Sequence, residues 1–317
     1  MVKKLEIEAL TSDLATTLSL LESARHNHDF IGEAQLTERS DGLSLQLQQL
    51  EESPERVASV ALFFGGRPVL GSRGVDAKFA SDALESYQSL VAKHFASMEF
   101  DDALGARGRI RASSEAKLMV TDVARGSFGF LMEEAPEQSQ IVETKVGEAI
   151  ESLSAAMSKL SSTDDDWSDA VETLDQRVVS AVHRFFEVLD EADATVRIVE
   201  GAHDRLLSAD DVKRARLRTE NTSISEVETD FIEGQIVGFS SKVFEFAYSN
   251  GERVSGRIEN GPARKIAEAG ESGHIQSLLF TTVKAKFRVR TLTQANWMRT
   301  YHTLIAIDDR ADSLRSH

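Results

Sequence analysis

Residues 284–290 read Lys284-Ala285-Lys286-Phe287-Arg288-Val289-Arg290. Basic residues stand at every second position, and Ala285, Phe287 and Val289 stand between them. A strand sends alternate side chains to opposite faces. The segment therefore reads as a strand with four cations on one face and a small apolar set on the other. Most of the chain is acidic, so this stripe marks a surface for something negative.

The flanking sequence extends the pattern. Segments 231–239, 243–248, 253–258, 278–289 and 301–307 read as five short strands. Asn250-Gly251 is a tight turn, and Gly234, Gly238 and Gly256 suit bends and bulges. A short helical turn over 262–269 separates the third strand from the fourth. Over about 80 residues this pattern is similar to small SH3-like or OB-like barrels. Such barrels bind single strands with a basic groove and stacking aromatics. The resemblance makes Lys284, Lys286, Arg288 and Arg290, with Trp297, Arg299 and Tyr301 just beyond, the candidate surface for nucleic acid or a partner protein. Two structural alternatives carry no ligand: an edge strand guarded by its lysines, or a stripe on which the acidic 1–220 region docks.

Upstream lie the clearest helices. Residues 138–160 carry Val142, Val146, Ile150, Leu153 and Met157 as one stripe. Residues 166–192 carry Val171, Leu174, Val178, Val182, Phe185, Phe186 and Leu189. The pair is expected to form an antiparallel hairpin, and its broad apolar faces suit a homo-oligomer. Ser208 and Asp211 have capping-box spacing before a short helix whose second half holds Lys213, Arg214, Arg216 and Arg218.

Residues 1–135 read as mixed α+β. A strand is expected over 3–9, then a helix on Leu14, Leu18 and Leu21. Two strands are expected over 30–38 and 43–50 around Ser40-Asp41-Gly42, then a hairpin turning at Gly65-Gly66. A helix over 75–97 and a hairpin of 117–123 with 127–132 complete the region. The expected organisation is an α+β domain over 1–135 with a mainly antiparallel sheet, a helical region over 136–220, and a small all-β barrel over 221–317.

Composition bounds the chemistry. The 317 residues contain no cysteine, which excludes disulfides, thiolate nucleophiles and cysteine metal sites. No window approaches 18 apolar residues, and Met1–Glu8 has no apolar run behind its lysines, so the expectation is a soluble cytoplasmic protein outside the membrane. Net charge is −16. Residues 221–317 hold 12 Lys+Arg and 12 Asp+Glu, leaving 24 basic and 40 acidic residues in 1–220, which therefore carries the whole −16. That surface repels nucleic acid.

Few motifs name a reaction. Asp101 and Asp102 followed by Glu115-Ala116-Lys117 resemble the acid…Glu-x-Lys set of metal-dependent nucleases, in which carboxylates hold Mg²⁺ and the lysine steadies the attacking hydroxide. His26, His28 and Asp29 lie close in sequence, but the other histidines are isolated and no metal site is expected. Gly71-Ser72-Arg73-Gly74 and Gly105-Ala106-Arg107-Gly108 fit neither a P-loop nor a dinucleotide fingerprint, and no cofactor is expected. The sequence thus points to a non-enzymatic binding or adaptor protein acting through the basic strand of its barrel. A divalent-metal nuclease is the alternative, and an acidic decoy in bacteria–phage conflict a second.

Overall fold

The computed structural model describes residues 2–53, 57–99, 115–124, 128–135, 144–163, 167–172, 174–240, 243–259, 261–262, 279, 282–294 and 297–308. The chain forms two compact units, Met1–Glu220 and Asn221–His317. The first contains α1 (Lys3–His26), α2 (Phe30–Glu52), β1 (Ser59–Gly66), β2 (Val69–Leu70), β3 (Gly74–Val75), α3 (Ala77–Glu99), β4 (Leu118–Ala124), β5 (Phe128–Glu134), α4 (Lys145–Ser161), α5 (Trp167–Glu172), α6 (Gln176–Glu191), β6 (Ala194–Glu200), β7 (His203–Leu207) and α7 (Ala209–Glu220). The second contains β8 (Ser223–Glu228), β9 (Ile232–Phe239), β10 (Val243–Tyr248), β11 (Arg253–Ile258), β12 (Thr282–Gln294) and β13 (Trp297–Asp308).

The strands expected over 3–9, 30–38 and 43–50 are helix. Ile7, Leu10, Leu14, Thr17, Leu21 and Ala24 recur at alternating spacings of three and four, as do Leu36, Ser40, Leu43, Leu47 and Leu50. That spacing is a heptad seam, and α1 packs on α2 along it. Thr17, Leu21, Ala24 and Ser40 are its buried members. The alternation of Leu43, Leu45 and Leu47 misleads because Leu45 is off the seam and 56 % exposed. The chain reverses at His28, which takes a left-handed φ of 57°. Asp29 then caps α2 by accepting from the Gly32 N–H at 2.9 Å. Ser40-Asp41-Gly42 lies within α2 and makes no turn.

Strands β4-β5-β1-β6-β7 form one antiparallel sheet in that order. The hairpin expected near 117–132 is β4–β5. β1 does not fold back on the next strand at Gly65-Gly66. It runs down the middle of the sheet between β5 and β6, and the chain turns at Arg67-Pro68 into the small β2–β3 pair. On one side of the sheet Phe64 meets Phe79 of α3 edge-on, with ring centroids 5.2 Å apart. On the other side Ala61, Phe63, Leu131 and Val199 are closed over by Val2 and Leu5, at the base of α1.

The helices expected over 138–160 and 166–192 are α4 and the α5–α6 pair. Asp175 starts α6 afresh by accepting from the Arg177 N–H at 2.7 Å. The apolar stripes of α4 and α6 are buried within the unit, with α3 and α7 packed against both. The capping box of α7 is formed: Asp211 accepts from the Ser208 N–H at 2.9 Å. Arg214, Arg216 and Arg218 of α7 are used locally, Arg216 on Asp190. Arg214 donates to the Ser161 carbonyl and Arg218 to those of Leu160 and Ser162, so both arginines satisfy the open C-terminus of α4.

The second unit is a closed barrel. Following the ladders gives β9-β10-β11-β13-β12 and back to β9, with β8 added on the outside of β12. β11 and β13 are parallel and the other pairs antiparallel, a Greek-key closure of the OB-like kind. Phe244, Phe246 and Phe287 pack inside it, Phe287 stacked on Phe244 at 5.3 Å and edge-on to Phe246 at 5.0 Å between ring centroids. Gly256 permits the parallel contact, since a Cβ there would run into the His302 carbonyl oxygen.

One buried histidine makes the first unit sensitive to acid. His94 is 4 % exposed, and its Nε2 lies 2.7 Å from the Ser152 hydroxyl. Burial pushes its pKa from 6.5 down to about 4. The unfolded chain therefore takes up this proton first as pH falls. The stability linked to a neutral His94 is present above about pH 6.5 and lost as pH drops towards about 4. Denaturant titrations between about pH 7 and about pH 4 should show on the order of 3 kcal/mol of such loss. His94→Gln, which keeps a partner for Ser152, should flatten that dependence.

Candidate binding face of the C-terminal barrel

β12 serves two faces. Val283, Ala285 and Phe287 point into the core, and Val289 packs against it. Lys284, Lys286, Arg288 and Arg290 point outward. The register sets Arg290 opposite Tyr301, Leu292 opposite Arg299 and Gln294 opposite Trp297. In an antiparallel pair, opposite residues share a face. The register thus sets Arg299 and Tyr301 on the cations' side of the sheet, where the Arg290 side chain is 15 % exposed and Leu292 is fully buried; Trp297 stands opposite Gln294 in the backbone register. The Arg299 guanidinium lies 5.8 Å from the centre of the Tyr301 ring. The Tyr301 hydroxyl is buried and has no hydrogen-bond partner among the described residues.

β12 is not an edge. It pairs with β13 over nearly its whole length, and its other side is taken by β9 up to Ala285 and by β8 from Arg288. Its lysines therefore do not guard an open edge.

The stripe is already matched by carboxylates of its own unit. Lys286 Nζ donates to Glu228 at 2.6 Å. Arg288 donates to Glu259 at 2.6 Å and lies 3.5 Å from Glu226 and 3.7 Å from Glu228. Arg290 lies 3.2 Å from Glu226. Lys286 in turn holds the Glu228 carboxyl below its usual pKa. Only Lys284, among these four, is exposed with no ion pair among the described residues; its cross-strand neighbours are Glu233 and Asp308. Sequence reading missed β8 altogether. Its signal was Glu226-Val227-Glu228, an acidic alternation with the same period as the basic one.

The face used by OB-like barrels, on the second and third strands, differs here. The outward positions of β10 and β11 are Val243, Glu245 and Ala247, and Arg253, Ser255 and Arg257. None is aromatic, because Phe244, Phe246 and Tyr248 all turn inward.

The nuclease set is not assembled among the described residues. Asp101 and Asp102 lie outside them. Glu115 and Lys117 are exposed where the outer strand β4 begins. His26 and His28 are exposed at the α1–α2 turn. Among the described residues no three His, Asp or Glu side chains come together to hold a metal ion. No family model, curated protein or solved structure matches the chain.

A second polar feature lies in the first unit. A cleft of about 600 Å³ opens beside the base of α1, lined by Lys3, Ile7, Ala58, Ile150, Glu200 and His203 among others. Glu200 is 3 % exposed. It accepts from the Ser154 hydroxyl at 2.8 Å and from Arg205 at 2.6 Å. Burial raises its pKa, and the two donors oppose that rise. The fully buried Tyr87 phenol is pushed upward by burial and by the Glu200 charge. These partners hold a charge inside the fold, so the network is read as structural. Arg205→Ala, which strands the Glu200 carboxylate, should cost about 3 kcal/mol in chemical denaturation. Adding Glu200→Gln to it should recover part of that loss, since the stranded charge is then gone.

Proposed function

We propose that the protein is a non-enzymatic binding protein that engages a partner protein through the outer β12–β13 face of its barrel. The observation that carries this reading is the mixed charge of that face: Lys286, Arg288 and Arg290 interleaved with Glu226, Glu228 and Glu259. A phosphate backbone needs cations free to replace its counterions, and here at least three are already met by carboxylates. The outward positions of β10 and β11 offer no ring for a base to stack on, and the −16 of the whole chain opposes a polyanion. A protein surface carrying both signs is a better match. The apolar stripes of α4 and α6 are used inside the first unit, so self-association would require another surface.

Nucleic acid is the second reading, favoured by Arg299 beside Tyr301. Anisotropy of labelled single- and double-stranded oligonucleotides at low salt separates the two. The protein-partner reading predicts no binding beyond a weak, salt-screened background. Tight binding that is abolished by Lys284→Glu/Arg288→Glu would overturn it in favour of nucleic acid. Incubating the same oligonucleotides with Mg²⁺ or Mn²⁺ tests the nuclease alternative, and intact substrate is expected.

A further inference from the structure

β8 adds little to the barrel it lies on. Of its residues only Ile224 is half-buried, and Val227 is 63 % exposed. The five-strand barrel closes through β12–β13 and β12–β9 without it. Among the described residues β8 is held by its ladder to Arg288–Thr293, by the ion pairs of Glu226 and Glu228, and by an anchor just beyond its end. There the Thr229 N–H donates to the Phe287 carbonyl at 2.8 Å, and its hydroxyl accepts from the Phe287 N–H at 3.0 Å. The Lys286–Glu228 pair is exposed, contributes little and is screened by salt; those of Arg288 and Arg290 are part-buried and screened less. Segments with few buried apolar contacts open first. Lifting β8 would leave the Arg288–Thr293 side of β12 with bare N–H and C=O groups, and Lys286 and Arg288 without their β8 carboxylates, Arg288 keeping Glu259.

We infer that β8 is a built-in copy of the barrel's ligand, an acidic strap exchanged for an extended acidic segment of the partner protein. Glu226 and Glu228 show the chemistry that fits. Carboxylates two residues apart on a strand share a face roughly 7 Å apart, the repeat at which β12 presents its cations. Such a segment would add to β12 by its main chain, with the alternating carboxylates giving specificity. The inference rests on the proposed role of the β12–β13 face and names what that face recognises. It also explains the acidic compensation: the strap keeps a sticky, charged strand edge covered until a better acidic strand arrives.

The test uses the full chain and a fluorescent peptide of residues 223–229, Ser-Ile-Ser-Glu-Val-Glu-Thr. Wild type is compared with Glu226→Lys/Glu228→Lys, and with Glu226→Gln/Glu228→Gln should the lysine variant melt early. The strap variants should bind the peptide at least about tenfold tighter than wild type, and the gain should fall as salt rises. A peptide with lysine in place of both glutamates should not bind. Equal affinity for wild type and variants, or no binding to variants with an unchanged melting curve, would overturn the strap. Equal gain for a single-stranded oligonucleotide would show that the face reads charge without a strand, and would also overturn it. Failure of the broader reading looks different: tight oligonucleotide binding by wild type that Arg288→Glu abolishes would overturn the face as a protein site, whereas a negative peptide result with no oligonucleotide binding would refute the strap and keep the face.

Discussion

Phe287 and Arg288 are neighbours in sequence and face opposite sides of one strand, and the barrel depends on both sides being satisfied. Inside, Phe287 stacks on Phe244 and meets Phe246 edge-on and leaves β12 no freedom to shift register, since a one-residue slip would bring Lys286 or Arg288 into the core. Outside, the same alternation forces four cations into one row. Like charges so placed repel unless something negative lies between them. Glu226, Glu228 and Glu259 supply that charge, two from the added strand β8 and one from just beyond β11. Core packing, strand register and surface charge are therefore three consequences of one periodicity.

The first unit is organised by different constraints. Among the described residues its sheet has a helical layer on one face and the base of α1 on the other, and α1 and α2 bury apolar side chains against each other. A heptad seam with Thr17, Ala24 and Ser40 at close-packed positions does this. The arginines of α7 close the end of α4, and a buried carboxylate, Glu200, is tolerated because Ser154 and Arg205 both donate to it.

How much of this was legible depended on whether one period ruled a segment. β10 and β11, the core of β12 and the β4–β5 hairpin were readable because alternation there has no competing helical reading. The stripes of α4 and α6 were readable for the converse reason. α2 was misread because Leu43, Leu45 and Leu47 satisfy a period of two, whereas Leu36, Ser40, Leu43, Leu47 and Leu50 satisfy the heptad only when a serine is admitted to the seam. β6 and β7 went unseen although the expected helix stopped at 192, because the alternation of Val196, Arg197 and Ile198 spans only three residues before Val199 breaks it, and the chain between Asp193 and Leu207 is otherwise rich in charge. At the candidate site the cations were visible and their neutralisation was not. Ion pairs between Glu228 and Lys286 join residues 58 positions apart, and nothing local announces them.

Amide hydrogen exchange on the full chain tests most directly whether β8 is a detachable acidic cover on an otherwise complete barrel. The account predicts that amides of β8 exchange on the order of 100-fold faster than those of the β12–β13 ladder, through a local opening that added salt promotes and mild denaturant barely changes. Equal, slow exchange across β8, β12 and β13, with one shared dependence on denaturant, would show that β8 opens only when the barrel unfolds and would contradict it.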